Sequence, residues 1–247
     1  MTLPARSQDP VAPLPDELPL AEAFGPTLQG EGPAAGRPAW FIRFGGCNLS
    51  CSWCDSAYTW DSSRYQLREE IRHTPVEKID QAVPDGALVV LTGGEPLLQQ
   101  DASAWSRLLD GLRRRGCTLH VETNGTIAPN DRTRELVETF IVSPKLTNAG
   151  PHRGRQDPAL NPGWAAAARD GQAHLKVVCA SAEDVETAVG LARDHGWPQR
   201  QVWVMPEGTT VDALNARWPA VADAAARHGI NATHRLHVLA WGDKRGH

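Results

Sequence analysis

Residues 45–56 read GGCNLSCSWCDS, and Cys47, Cys51 and Cys54 within them have the spacing C-x3-C-x2-C. Thiolates are soft ligands that favour zinc, copper(I) or iron–sulfur clusters. A structural zinc needs a closed tetrahedral shell. The sequence offers it only isolated candidates, His73 or Asp55, and no second ligand pair. A cubic 4Fe–4S cluster held by three cysteines leaves one iron open, whereas clusters with purely structural or electron-transfer duty usually have four. The missing fourth cysteine therefore reads as a vacancy for a substrate or cofactor. Cys117 and Cys179 stand alone and read as ordinary buried residues, since free cysteine is a small hydrophobe.

The elements that must position this loop show as short apolar, β-branched runs. They are AWFIRF (39–44), ALVVL (87–91), TLHVE (118–122), FIVS (140–143), HLKVV (174–178), VWVM (202–205) and RLHVL (235–239). Their apolar character is continuous rather than alternating, as for strands covered on both faces. Helical patterns lie between them. Residues 181–196 open on a Ser-x-x-Asp capping box and close on Gly196. Residues 102–116 place Trp105, Leu108, Leu109 and Leu112 on one face and end in three arginines. Residues 210–228 are Ala-rich, with Pro219 expected to kink or split the helix.

Strand and helix alternate six or seven times, which predicts an α/β parallel sheet with right-handed crossovers, barrel-like or doubly wound. The unusual residues fall just beyond strand ends. Cys47 follows the first run, TGGEP (92–96) the second, TNGT (123–126) the third, SPK (143–145) the fourth and MPEG (205–208) the sixth. Loops converge on that rim in parallel α/β folds, so five motifs there predict one site.

Composition sets the outer bounds. The 247 residues suffice for one large domain, and 25 Lys and Arg against 29 Asp and Glu give a net charge of −4 without a basic block. That excludes wholesale nucleic-acid binding, which needs a basic face; a small anionic ligand needs only one or two placed cations. Residues 1–20 are Pro-rich, without the apolar run of a signal peptide, and no stretch approaches a membrane span. The expected organisation is a flexible extension over 1–20 and a single domain over 21–247. Five cysteines in a cytoplasmic chain read as ligands or nucleophiles before disulfides.

The cysteine spacing with Trp53 before the last Cys resembles the cluster loop of the radical S-adenosylmethionine (SAM) enzymes. TGGEP resembles their GGE motif, and SPK resembles a cofactor-contacting segment; ETNGT (122–126) and MPEG are looser matches. The resemblance implies a 4Fe–4S cluster on Cys47, Cys51 and Cys54 whose open iron is chelated by SAM, the source of a 5′-deoxyadenosyl radical. It puts Trp53, Asp55, Gly94, Glu95, Ser143, Pro144, Lys145, Met205, Pro206 and Glu207 around SAM. Glu95 would face the methionyl ammonium, for which a carboxylate is the natural partner.

Two further segments, FGPTLQGEGPAAGRP (24–38) and RLHVLAWGDKRGH (235–247), closely resemble the 7-carboxy-7-deazaguanine synthases, from about residue 20 to the end. That resemblance implies an abbreviated, modified TIM-like partial (β/α) barrel with mainly parallel strands, a homodimer, and a reductase or flavodoxin-type electron donor. It implies a pterin substrate against Leu28, Gln29, Gly30, Glu31, Arg43, Thr92 and His237. Arg43 would face the substrate carboxylate, which a planar guanidinium grips bidentately, and Glu31 the amino-pyrimidine edge. Ser56 falls where the family uses a hydroxyl on Mg²⁺, a hard cation suited to oxygen ligands. A glycyl-radical-enzyme activase and a non-catalytic metal-binding module remain as other readings.

Overall fold

Six of the seven apolar runs fold as strands in the computed structural model, which describes residues 16–152 and 158–246. The chain proceeds through β1 (Glu17–Leu28), β2 (Pro38–Phe44), α1 (Leu67–Glu70), β3 (Arg72–Pro75), α2 (Val76–Gln81), β4 (Leu88–Gly93) and α3 (Ser103–Arg114). It continues through β5 (Thr118–Thr123), α4 (Asp131–Leu136), β6 (Thr139–Val142), α5 (Trp164–Arg169), β7 (Ala173–Cys179) and α6 (Ala182–Asp194). The last elements are β8 (Val202–Pro206), α7 (Val211–His228), β9 (Asn231–Ala232) and α8 (Leu236–Trp241).

One sheet has the order β3-β1-β2-β4-β5-β6-β7-β8-β9. It is parallel from β2 to β9, and β1 lies antiparallel to both β2 and β3. β3 and β9 are the two edges, so the barrel stays open, as the partial-barrel expectation requires.

The strand residues sort by the two-residue period of the pleat. Val89, Leu91, Leu119, Val121, Phe140, Val142, Leu175 and Val177 face outward into the main core. There they meet Trp105, Leu108 and Leu109 of α3, Trp164 of α5, Val185 and Ala188 of α6, and Val221 of α7. Arg43, Thr92, Glu122, Lys176 and Met205 face inward and line a cavity.

The helices form where their caps predict. Ser181 accepts from the Asp184 N–H ahead of α6, and Gly196 beyond it takes φ +68°. The four apolar residues of α3 are fully buried. α7 runs unbroken through Pro219, so the expected split does not occur. Pro219 and Asn215 are both exposed, and on the solvent side water can take the carbonyl that a proline ring leaves without its donor.

Two further expectations are corrected. Residues 235–239 are not a seventh strand: Leu236–Trp241 is helix α8, and the sheet ends on the two-residue β9. Residues 17–20, expected within the flexible extension over 1–20, pair with β3, and Leu18 is buried in the core. Residues 1–15 lie outside the described residues. Among the described residues no helix is long and apolar enough to cross a membrane.

Candidate active site

The loops after β2, β4, β5, β6 and β8 meet at one end of the barrel around a cavity of about 630 Å³, within the usual range for small-molecule pockets. Its wall includes Leu28, Gln29, Glu31, Arg43, Cys47, Cys51, Trp53, Cys54, Asp55, Ser56, Thr92, Gly94, Ser143, Lys145, Met205, Glu207 and His237. Most of the candidates named from the sequence thus line one cavity. Gly30, Glu95, Pro144 and Pro206 are not on this wall.

Gly30 supports the wall from behind: a Cβ there would stand 2.0 Å from His237 Nδ1. Glu95 is fully buried. Its carboxylate accepts from the N–H groups of Leu97 and Asn124 at 3.0 and 2.7 Å and from the Thr123 hydroxyl at 2.9 Å. Burial pushes its carboxyl up to about 7 against those donors. Glu95 thereby knits the β4 and β5 loops together.

The cysteine loop is held by its neighbours. Gly94 lets two strand ends touch: a Cβ there would fall 2.0 Å from the Gly46 carbonyl oxygen, and the Gly94 N–H donates to Phe44 O at 3.0 Å. On the other side, Ser52 N–H donates to Ala149 O at 2.8 Å and Trp53 Nε1 to Asn148 O at 2.9 Å. Asn124, buried on the ETNGT segment, donates to Asn48 Oδ1 at 2.8 Å, and Asn48 donates to Thr126 Oγ1 at 2.7 Å. The looser motif is therefore a brace for the cysteine loop.

The three cysteines are free thiols with donors aimed at sulfur. Trp60 Nε1 lies 3.3 Å from Cys54 Sγ, and Leu49 N–H lies 3.4 Å from Cys47 Sγ. Burial pushes the Cys47 thiol up to about 12 and raises that of Cys51, so bound metal must displace their protons.

Among the described residues no three His, Cys, Asp or Glu side chains converge as a single metal ion requires. Three thiols lining one cavity, two of them with an N–H at sulfur that favours thiolate, fit a cluster that takes each cysteine on a different iron. Lys145 reaches over the Trp53 ring at 5.6 Å and donates to Ser143 Oγ at 2.9 Å. Glu207 is turned to Arg217 at 3.0 Å.

The opposite wall is a charged network whose members the sequence revealed only in part. Lys176 donates to Glu31 and, at 3.3 Å, to Glu122. Arg235 donates to Glu31 Oε1 at 2.8 Å, to Gly208 O at 2.6 Å, and to Asp55. Glu122 also accepts from Gln29 Nε2 at 3.2 Å and Thr92 Oγ1 at 3.0 Å.

Burial alone would raise the Glu31 carboxyl, but Lys176 and Arg235 overcome it and hold Glu31 well below the ordinary range. The same carboxylates, against burial, keep Lys176 and Arg235 firmly charged. His237 is shifted down by burial, with Arg235 and Lys176 opposing the pull of Glu31 and Asp55, so its ring is neutral near pH 7. Both Glu31 oxygens already bond a cation, and each retains a lone pair for a further donor.

Sequence reasoning missed Glu22, Tyr58, Glu122 as a wall residue, Lys176 and Arg235. The usable signal was a lone Lys within HLKVV and a lone Arg opening RLHVL, charges that an apolar setting must pair.

The model of the Radical SAM superfamily matches residues 41–210. A 7-carboxy-7-deazaguanine synthase of Halobacterium salinarum is 38% identical over 92% of this chain and 91% of its own length. That of Pyrobaculum aerophilum is 34% identical over 89% and 93%, and that of Bacillus subtilis 30% over 93% and 98%. The crystal structure of QueE from Escherichia coli shares the fold at a TM-score of 0.65 and 24% identity, covering 90% of this chain and 95% of that one.

Proposed function

We propose, from the premise that this chain belongs to the 7-carboxy-7-deazaguanine synthases of the radical SAM superfamily, that it converts 6-carboxy-5,6,7,8-tetrahydropterin to 7-carboxy-7-deazaguanine and ammonia. The family uses a 4Fe–4S cluster and SAM, and its ring contraction serves 7-deazapurine (queuosine-type) biosynthesis. When bound, cluster and SAM supply a hydrogen-abstracting 5′-deoxyadenosyl radical.

The observation that carries the reading is the meeting of two distant segments on the cavity opposite the thiols. Leu236 N–H donates to Gly30 O at 3.0 Å, which brings the His237 helix onto residues 28–31. Cys47, Cys51 and Cys54 hold the cluster. The Gly94 backbone, Trp53, Asp55, Ser143, Lys145, Met205 and Glu207 surround SAM, with Pro144 and Pro206 shaping the turns behind them.

Gln29, Glu31, Glu122 and His237 present acceptors and donors to the pyrimidine edge, and Thr92 and Lys176 hold Glu122 in place. Arg43 takes the carboxylate. The Ser56 hydroxyl, 3.7 Å from Cys54 Sγ, and the neighbouring Asp55 supply oxygen for Mg²⁺. Enzyme groups here fix geometry and exclude water, while the cofactor carries the hard step. The same reading takes the enzyme as a cytoplasmic homodimer, reduced by a flavodoxin-type donor or a reductase.

The test is product analysis after reconstitution without oxygen, with SAM, reductant, Mg²⁺ and the tetrahydropterin. Mass spectrometry is expected to find 7-carboxy-7-deazaguanine with 5′-deoxyadenosine. Deoxyadenosine alone would keep the radical chemistry and reject the substrate.

A further inference from the structure

The end of the chain touches the site again, away from the Arg235 strut. Residues 242–246 lie along the cavity. The Arg245 guanidinium stands 3.5 Å from the centroid of the Tyr58 ring, and its Nη1 is 2.9 Å from Glu70 Oε2. The Tyr58 hydroxyl donates to Glu22 Oε1 at 2.6 Å. That same oxygen accepts from Nε of Arg43 at 2.8 Å. One line of contacts thus runs from the C-terminal segment to the arginine on β2.

Its effect depends on which edge of the guanidinium it engages. Glu22 occupies Nε. Among the described residues, Nη1 and Nη2 of Arg43 have no hydrogen-bond partner, and the side chain lines the cavity. Those two N–H groups form the fork that receives a carboxylate bidentately. Asp55 pulls on the same guanidinium from the cavity side, so a fork freed from Glu22 has another carboxylate to turn toward. Tyr58 matters twice. Its hydroxyl fixes the Glu22 oxygen, and by donating to it withdraws charge that would repel an incoming anion.

We propose that Glu22, Tyr58 and Arg245 are positioning residues that aim the Arg43 fork at the substrate carboxylate, with residues 242–246 as a strap that completes the aim. This rests on the reading that Arg43 takes that carboxylate. The strap makes the enzyme selective for carboxylated pterins through its hold on Arg43.

The experiment is calorimetric titration of the reconstituted enzyme with two non-reacting ligands, 6-carboxypterin and 6-methylpterin. Arg43→Ala is expected to weaken 6-carboxypterin about 100-fold, the loss of a charge-assisted bidentate pair. Tyr58→Phe should weaken it about 5- to 10-fold, as for one net hydrogen bond. Arg245→Ala should weaken it about threefold, as for an exposed cation–π contact, with Arg245→Lys restoring most of the loss. Affinity for 6-methylpterin should be unchanged throughout, and in turnover the Tyr58→Phe effect should fall on KM rather than kcat.

If Tyr58→Phe and Arg245→Ala weaken both ligands alike, or neither, while Arg43→Ala discriminates, the positioning role is wrong and the carboxylate reading stands. If Arg43→Ala itself fails to discriminate, that reading falls and takes the proposal with it.

Discussion

The thiol end of the cavity and its charged end are built from different lengths of chain. Cys47, Cys51 and Cys54 sit on one loop, which donates to the carbonyls of Asn148 and Ala149 and receives the Trp60 N–H at Cys54. The charged end gathers Glu31 after β1, Glu122 on β5, Lys176 on β7 and Arg235 before α8, the first and last being 204 residues apart. The two ends differ in energetics as well. A thiol stripped of its metal is still a small buried group, whereas each charge at the other end depends on its opposite. Removing one member of a buried ion pair leaves the other uncompensated. The thiol end can therefore lose a ligand and keep the fold, while the charged end cannot lose a partner so cheaply.

The largest effect expected tests the first half of that contrast. Cys51→Ala should abolish product and drop iron from about four atoms per chain toward none, while far-UV circular dichroism stays native. Product from the reconstituted variant would break the assignment of the thiol end.

Glu31→Ala tests the second half. It should destabilise the fold by about 3–5 kcal/mol, lowering Tm by roughly 10 °C for a chain of this size. A loss near zero in thermal unfolding would mean that Lys176 and Arg235 find other partners.

Acid titration sharpens the contrast. His120, on the inner face of β5, is pushed down from 6.5 to about 4, first by burial and then by Arg37. The unfolded chain takes up that proton before the folded one does, so stability falls as pH drops from 6.5 to 4, by up to about 3 kcal/mol. His120→Gln should flatten that limb of a urea-midpoint profile. Glu31 acts lower down: its carboxyl is depressed, so its contribution is intact above the ordinary carboxyl range and is lost on descent through its folded value.

The smallest effect is a control. Cys117 is buried in the core away from the cavity. Cys117→Ala should cost about 1 kcal/mol and leave iron content unchanged, and a loss of iron would blur the line between ligating and packing cysteines.

Sequence made the thiol end legible because its information is local: spacing, a Gly-Gly turn and strand-end placement are all readable within a dozen residues. It misread RLHVL because a five-residue apolar run fits strand and helix alike. Only the position of β9 beside β8 shows that the edge of the sheet is already taken. β1 escaped notice because Pro19 and Pro26 argue against a strand. The register with β2 shifts between Phe24 and Thr27, where Pro26 falls, so no ladder bond there requires its missing N–H. Lys176 looked like an anomaly in an apolar run because the two carboxylates that pair it come from 145 and 54 residues away.

The long reach of Arg235 also orders events during synthesis, when a chain emerges from its N-terminus. A nascent chain exposed as far as Cys179 already carries all three thiols, the Gly94 turn, the Asn124 brace and Lys145. It lacks the one side chain that ties Glu31, Asp55 and Gly208 together. The metal half of the site is thus complete while the ribosome still holds the residues that close the substrate half. A premature stop just ahead of Arg235 would leave every thiol in the chain and take Arg235 and His237 out of the substrate wall.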